Sequence, residues 1–219
     1  MKKKIVIGVS VLVFAFCIFC GRLINGNINN DKIQSKDFSD IDISDLPVSQ
    51  IKGDFLYDIN SLEEAVGIVD YVFLGKVESN SGTDYEDVVT AEDADGNLKN
   101  MGTPYTNYSV SVLENIKGNL RSDIAIQLKK HGGITSDQKE IFVFEKDFLP
   151  EVGKKYIFLV YAQPDGSLLV SGPNSNVSIE NKMQMRSRTN QNILDEYKEA
   201  AKNEVIPAER ERFISKYEE

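Results

Sequence analysis

From Tyr71 to Glu78 nearly every position is apolar, as in a strand whose two faces are both covered near its start. Gly75 in its middle predicts a bend or bulge. Tyr105 to Glu114 alternates instead, with Tyr108, Val110 and Val112 on one side and Asn107, Ser109 and Ser111 on the other. Lys117-Gly118-Asn119 then turns the chain into Asp123–Lys129, where Ile124, Ile126 and Leu128 are expected inside. Adjacent glycines weaken a strand, so His131-Gly132-Gly133 predicts a loop with His131 facing solvent. Ile141–Phe144 and Leu168–Ser171 are short strands, and Val177–Ile179 closes the sheet. Tyr156–Tyr161, the most apolar stretch beyond the N-terminal segment, is expected at its centre. Pro164-Asp165-Gly166 is a hairpin turn, because Pro fixes φ and Gly permits positive φ.

Two stretches have helical periodicity. Ser61-Leu62-Glu63-Glu64 fits a capping box opening a helix through Val69, with Leu62, Ala65, Val66 and Val69 on one face. From Asn190, Ile193, Tyr197, Ala201 and Val205 form one stripe with Leu194 and Ala200 beside it. Pro207 predicts a second C-terminal helix, with Phe213, Ile214 and Tyr217 as its apolar side. The expected fold is mainly β, a small antiparallel domain with a short preceding helix and C-terminal helices lying back on it.

Ahead of that domain, Met1–Lys4 is basic and Ile5–Cys20 is sixteen residues without a charge. No A-x-A-like cleavage site follows, and Phe16 and Phe19 stand where a lipid-attachment cysteine wants a small neighbour. Residues 1–24 are therefore expected to be an uncleaved anchor, with cleaved or lipid-anchored export as the alternatives. The three lysines put the N-terminus in the cytoplasm and the domain outside. Residues 25–54, rich in Asn, Asp, Ser and Ile, are expected to form a flexible stalk, and Asp40-Ile-Asp42-Ile-Ser44 could add an edge strand elsewhere. The division is thus 1–24 anchor or signal, 25–54 stalk, 55–180 β-domain with a 79–104 insertion, and 181–219 C-terminal helices.

Asp70-Tyr-Val-Phe-Leu-Gly-Lys-Val77, Tyr108-Ser-Val-Ser-Val-Leu-Glu-Asn-Ile-Lys-Gly118 and Leu149-Pro-Glu-Val-Gly-Lys-Lys-Tyr-Ile-Phe-Leu-Val160 together resemble the netrin-like domains. That family includes the tissue inhibitors of metalloproteinases and bacterial exported proteins. The resemblance covers about residues 60–180 and implies an OB-like, five-stranded Greek-key antiparallel β-barrel. It brings no catalytic residue. The inhibitors chelate their target's zinc through an N-terminal cysteine, and this domain has none, so that mechanism is not carried over.

Charge narrows the partners. The chain carries a net −9, and beyond residue 24 there are 21 basic against 34 acidic residues, a balance of −13 that repels a nucleic-acid backbone. Both cysteines, Cys17 and Cys20, lie in the N-terminal apolar run, so the rest of the chain has neither a disulfide nor a thiolate metal site. The 79–104 insertion holds Asp84, Glu86, Asp87, Glu92, Asp93 and Asp95. Asp93-Ala-Asp95-Gly96 lacks the spacing of a calcium loop and reads as a two-residue hairpin turn joining Asp87–Glu92 to Leu98–Met101. By resemblance to the inhibitors, whose corresponding loop touches the target, this insertion is the expected binding edge, with Tyr85, Glu86, Asp87 and Tyr105 as candidate contacts. Ser136-Asp-Gln-Lys139 matches S-x-x-K, but so does Ser49-Gln-Ile-Lys52 and no K-T-G accompanies either, so a hydrolase using Ser136 and Lys139 is the weaker alternative. The expectation is a membrane-anchored binding module for a protein or cell-envelope ligand, not an enzyme, without cofactor, metal or nucleic acid. Protease inhibition through the barrel edge and acidic loop is the nearest alternative.

Overall fold

A computed structural model describes residues 45–92, 96–179, 190–208 and 210–219. The expected anchor, the stalk through residue 44, and Asp93 and Asp95 lie outside the described residues. Among the described residues no helix is long and apolar enough to cross a membrane.

Among the described residues the fold is mainly β, with two helices. Strands β2 (Tyr71–Glu92) and β3 (Leu98–Lys117) pair antiparallel from Val72↔Lys117 out to Glu92↔Leu98. The 79–104 insertion is therefore a hairpin arm, the outward continuation of two core strands. Five residues, not two, separate the last pair, Glu92 and Leu98. Five register shifts bend β2, one of them at the expected position between Leu74 and Gly75.

Strand β4 (Ala125–His131) runs antiparallel to β3. Ile126 and Leu128 point inward, whereas Ile124 precedes the strand and is 40% exposed, which corrects its expected burial. β7 (Lys155–Ala162) pairs with β2 along Lys155–Val160, and with both β8 (Leu168–Val170) and β9 (Asn176–Ser178). β8 also lies parallel to β4. The β7–β8 turn forms as expected, with Gly166 N donating to Gln163 O at 2.9 Å.

A second, three-stranded sheet joins β1 (Val48–Ile51), β5 (Gly133–Ile134) and β6 (Ile141–Phe144) in the order β1-β6-β5. β1 lies within the expected stalk, so that part of it is an edge strand of the domain. Its Pro47 and Ile51 carbonyls accept from Ile141 N and Glu145 N at 2.9 and 2.8 Å, occupying an edge of β6 that would otherwise stay open. The expected loop at Gly132-Gly133 is a corner between sheets. Gly132 takes φ +116, its N donates to Pro104 O at 2.9 Å, and β5 begins at the next residue.

Alternation along β7 divides the interior. Tyr156, Phe158, Val160 and Ala162 join Phe73, Tyr108, Val110, Ile126 and Leu128 in one core. Ile157 and Leu159 face the other way, into a second core beneath α1 (Leu62–Ile68) and α2 (Asn190–Lys202), with Val66, Ile193, Leu194 and Tyr197. Ser61 caps α1 by accepting from Glu64 N at 3.2 Å, while Glu64 reaches back to Asp58 N at 2.8 Å, one turn beyond the capping-box position.

The expected second C-terminal helix does not form, and among the described residues 207–219 run without one. α1 has no basic residue in its last turn, and the tail supplies the missing donors. Arg212 donates to Gly67 O at 2.6 Å and Val69 O at 2.8 Å, and Arg210 to Ile68 O at 2.9 Å. Both also reach buried Asp70. Phe213 and Tyr217 pack on the first core, whereas Ile214 is 75% exposed. Three apolar residues in five positions cannot distinguish a helix from a tail pinned at two of them. Val205 also departs from its expected stripe, since α2 ends at Lys202 and Val205 is half-exposed.

Candidate binding site at the base of the hairpin arm

The arm leaves the sheet where β2 and β3 pass the corner at Gly132, and two cavities flank its base. Beyond Thr83 the outward pairs are Glu86↔Thr103, Val89↔Met101 and Thr90↔Asn100. A bulge between Glu86 and Val89 puts Asp87 in the left-handed region at φ +50, which Asp tolerates better than most residues.

The larger cavity, about 630 Å³, lies between the arm and the β5–β6 turn. Val89, Met101, Pro104 and Phe142 supply apolar wall, and among the described residues its charged members are Asp87, Asp137 and Glu140, all acidic. Val89 and Met101 are 59% and 54% exposed, and Leu98 nearer the tip is 74% exposed. Ser136 Oγ closes one end by donating to Asn100 O at 3.1 Å. On the arm's other flank a cavity of about 380 Å³ is lined by Glu86, Tyr105 and Lys129 together with Gln163, Asp165 and Ser167 of the β7–β8 turn. Here Lys129 pairs with Glu86 and holds its Nζ 5.3 Å from the centre of the Tyr105 ring.

Four residues expected to bind thus separate into three roles. Glu86 and Tyr105 line the smaller cavity and Asp87 the larger. Tyr85 lines neither. It is 5% exposed, and its hydroxyl donates to Ile134 O at 2.9 Å, so it fastens the arm to β5 rather than offering an exposed anchor. Its place in the β2 alternation, two residues beyond buried Thr83, carries it inward. Burial pushes the Tyr85 hydroxyl up to about 12, with Asp137 adding to the effect.

His131 is not a solvent-facing loop residue. It ends β4, half-buried, stacked on Tyr105 at 4.8 Å and edge-on to Phe144 at 4.7 Å, with Nδ1 3.1 Å from Ser171 Oγ. Burial lowers its titration to about 4, the nearby Lys130 adding to the fall. Ser136 and Lys139 are turned to different partners, for Lys139 Nζ lies 3.9 Å from Asp137 Oδ2 and 73% of its side chain is exposed. The two share no hydrogen bond among the described residues.

Several lining residues were absent from the expected set. The paired strand positions Val89 and Met101 carried a usable signal, an apolar pair facing across the two strands of the arm. Asp137 and Glu140 carried none, because only the pairing of β5 with β6 brings them to the arm. Among the described residues no three His, Cys, Asp or Glu side chains converge as a metal site. No protein-family model matches the chain, and no curated protein matches its sequence.

Proposed function

We propose that this chain is a binding module that holds a protein or cell-envelope ligand at the base of its hairpin arm without transforming it. The observation that carries the reading is the larger cavity, where the half-exposed Val89–Met101 pair stands beside Asp87, Asp137 and Glu140, with no basic residue lining it among the described residues. An exposed apolar pair within an acidic wall suits a partner that presents apolar side chains next to Lys or Arg. We read the larger sheet as an OB-like barrel of netrin-like type. Two pairings support this: β7 returns to β2, and β8 lies parallel to β4, giving the strand order 2-3-4-8-7-2. In that architecture the smaller cavity falls on the ligand face, between the first hairpin and the loop joining the last two barrel strands. The basic N-terminus and the uncharged run Ile5–Cys20 support a location outside the cytoplasm, tethered to the membrane.

The test is site-specific photo-crosslinking of the full chain in membranes, with the photoreactive side chain at position 101 or, as a control, at Leu113, which is 47% exposed on β3 inward of the arm. A discrete adduct at 101 that is lost on Asp87→Lys and absent at 113 supports the reading. Equal labelling at both positions, or none at 101, refutes it.

A further inference from the structure

Strand β4 continues its inward alternation one step past Leu128, and the residue that arrives inside is a lysine. Lys130 is enclosed, its side chain 1% exposed, and its Nζ lies against Oδ2 of Asp147, whose side chain is 0% exposed. Lys130 Nζ donates to Ser175 Oγ at 2.8 Å, and Ser175 Oγ lies 3.3 Å and 3.5 Å from the two Asp147 oxygens. Tyr108 contributes a fully buried hydroxyl to the same core, with no hydrogen-bond partner among the described residues. Each member comes from a different segment: β4, the stretch after β6, and the residue before β9. Nothing in the arm or its cavities uses this group.

We propose that Lys130 and Asp147 condense into an intramolecular amide, with Ser175 relaying the proton. In that step the Lys130 nitrogen lone pair attacks Asp147 Cγ and forms the C–N bond. Ser175 Oγ takes a proton from the nitrogen and passes its own to the departing Asp147 oxygen. The C–O bond breaks and one water leaves, so a carboxylic acid and an amine become an amide and water without oxidant, reductant or cofactor. The hydrogen-bond directions suit that relay, since nitrogen donates to Oγ and Oγ donates to the carboxyl. Burial acts in the same sense on both reactants, lowering Lys130 towards the neutral amine and raising Asp147 towards the acid. Placement in one dry site removes most of the entropic barrier to joining two groups. The product also replaces two desolvated charges by a neutral group, which ends the cost of keeping them there. Its effect is a covalent link between the six-stranded sheet and the stretch following the three-stranded one, in a chain whose residues 21–219 contain no cysteine to provide another.

Tryptic digestion of the unfolded full chain, read by mass spectrometry, tests this directly. Trypsin cuts after free lysine but not after an acylated one, so a linked chain yields segment 130–139 joined to 147–154, whereas an unlinked chain is cut after Lys130 as well and yields 131–139 and 147–154 as separate peptides. The expected result is one branched peptide made of segments 130–139 and 147–154, one water lighter than the sum of those two segments, whose fragmentation places the link at Lys130 and Asp147. Ser175→Ala should reduce the branched fraction severalfold at a fixed time after synthesis. Recovery of only the linear peptides 131–139 and 147–154 from chain that was folded before digestion overturns the proposal. An undiminished branched fraction in folded Ser175→Ala overturns the relay. The first result requires no variant to fold.

Discussion

Gly133→Ala tests how the hairpin arm is fastened to the body. A Cβ at Gly133 would stand 2.6 Å from Thr106 Oγ1 and 2.8 and 2.9 Å from Thr83 Cγ2 and Oγ1. Those threonines are cross-strand partners at the root of the arm, each 2% exposed, and Thr106 Oγ1 donates to Gly132 O at 2.7 Å. Relief of the contact requires Thr106 to rotate away and abandon that bond. A buried hydroxyl left without a partner costs about 1–3 kcal/mol. The added methyl costs about 1–3 kcal/mol more in a packed site. Against this, Ala restricts the unfolded chain and returns only about 0.4–1 kcal/mol. The steric terms win, and the net expectation is a loss of about 3 kcal/mol, read from the urea midpoint by circular dichroism. In a Thr106→Ala background the nearest atom is gone, so the same substitution should cost about 1 kcal/mol less. An unchanged or higher midpoint for Gly133→Ala, or an equal cost in both backgrounds, would refute the reasoning.

Arg212→Lys should destabilise the fold by about 1–2 kcal/mol, because an ammonium cannot reproduce the planar fork that reaches Gly67 O, Val69 O and Asp70 together; urea titration of the two chains checks it, and equal midpoints would remove the tail's role in closing α1. His131 makes stability pH-dependent. Its folded-state titration near 4 lies below that of an unfolded histidine, so the unfolded chain binds the proton first. The stabilisation from the neutral ring is full above about pH 6.5 and is lost as pH falls towards 4. His131→Phe should flatten the urea midpoint between those limits relative to the parent, and parallel pH profiles would contradict the assignment.

The strands of the larger sheet, both helices and the β7–β8 turn were legible in the sequence because each rests on local chemistry. Period-two alternation marks Tyr108, Val110 and Val112, Ser61 supplies a cap, and Pro164-Asp165-Gly166 meets the dihedral demands of its turn. Most of the expected pairing of Asp87–Glu92 with Leu98–Met101 forms too, from Val89↔Met101 to Glu92↔Leu98, while Asp87 sits in the bulge before it. What the tertiary structure decided is where unsatisfied groups find partners. Bare carbonyls at the end of α1 turned an expected helix at Pro207 into a strap held by Arg210 and Arg212. An open edge of β6 drew the end of the expected stalk into a sheet. The candidate site has the same origin: alternation placed Val89 beside Met101 and turned Tyr85 inward, but only the β5–β6 pairing brought Asp137 and Glu140 across, and only β5 gave Tyr85's hydroxyl its acceptor. Lys130 was within reach of the pattern, one alternation past Leu128. Its partners, Asp147 and Ser175, lie 17 and 45 residues further along the chain, and no period in a sequence encodes a contact between segments whose spacing depends on how both sheets pack.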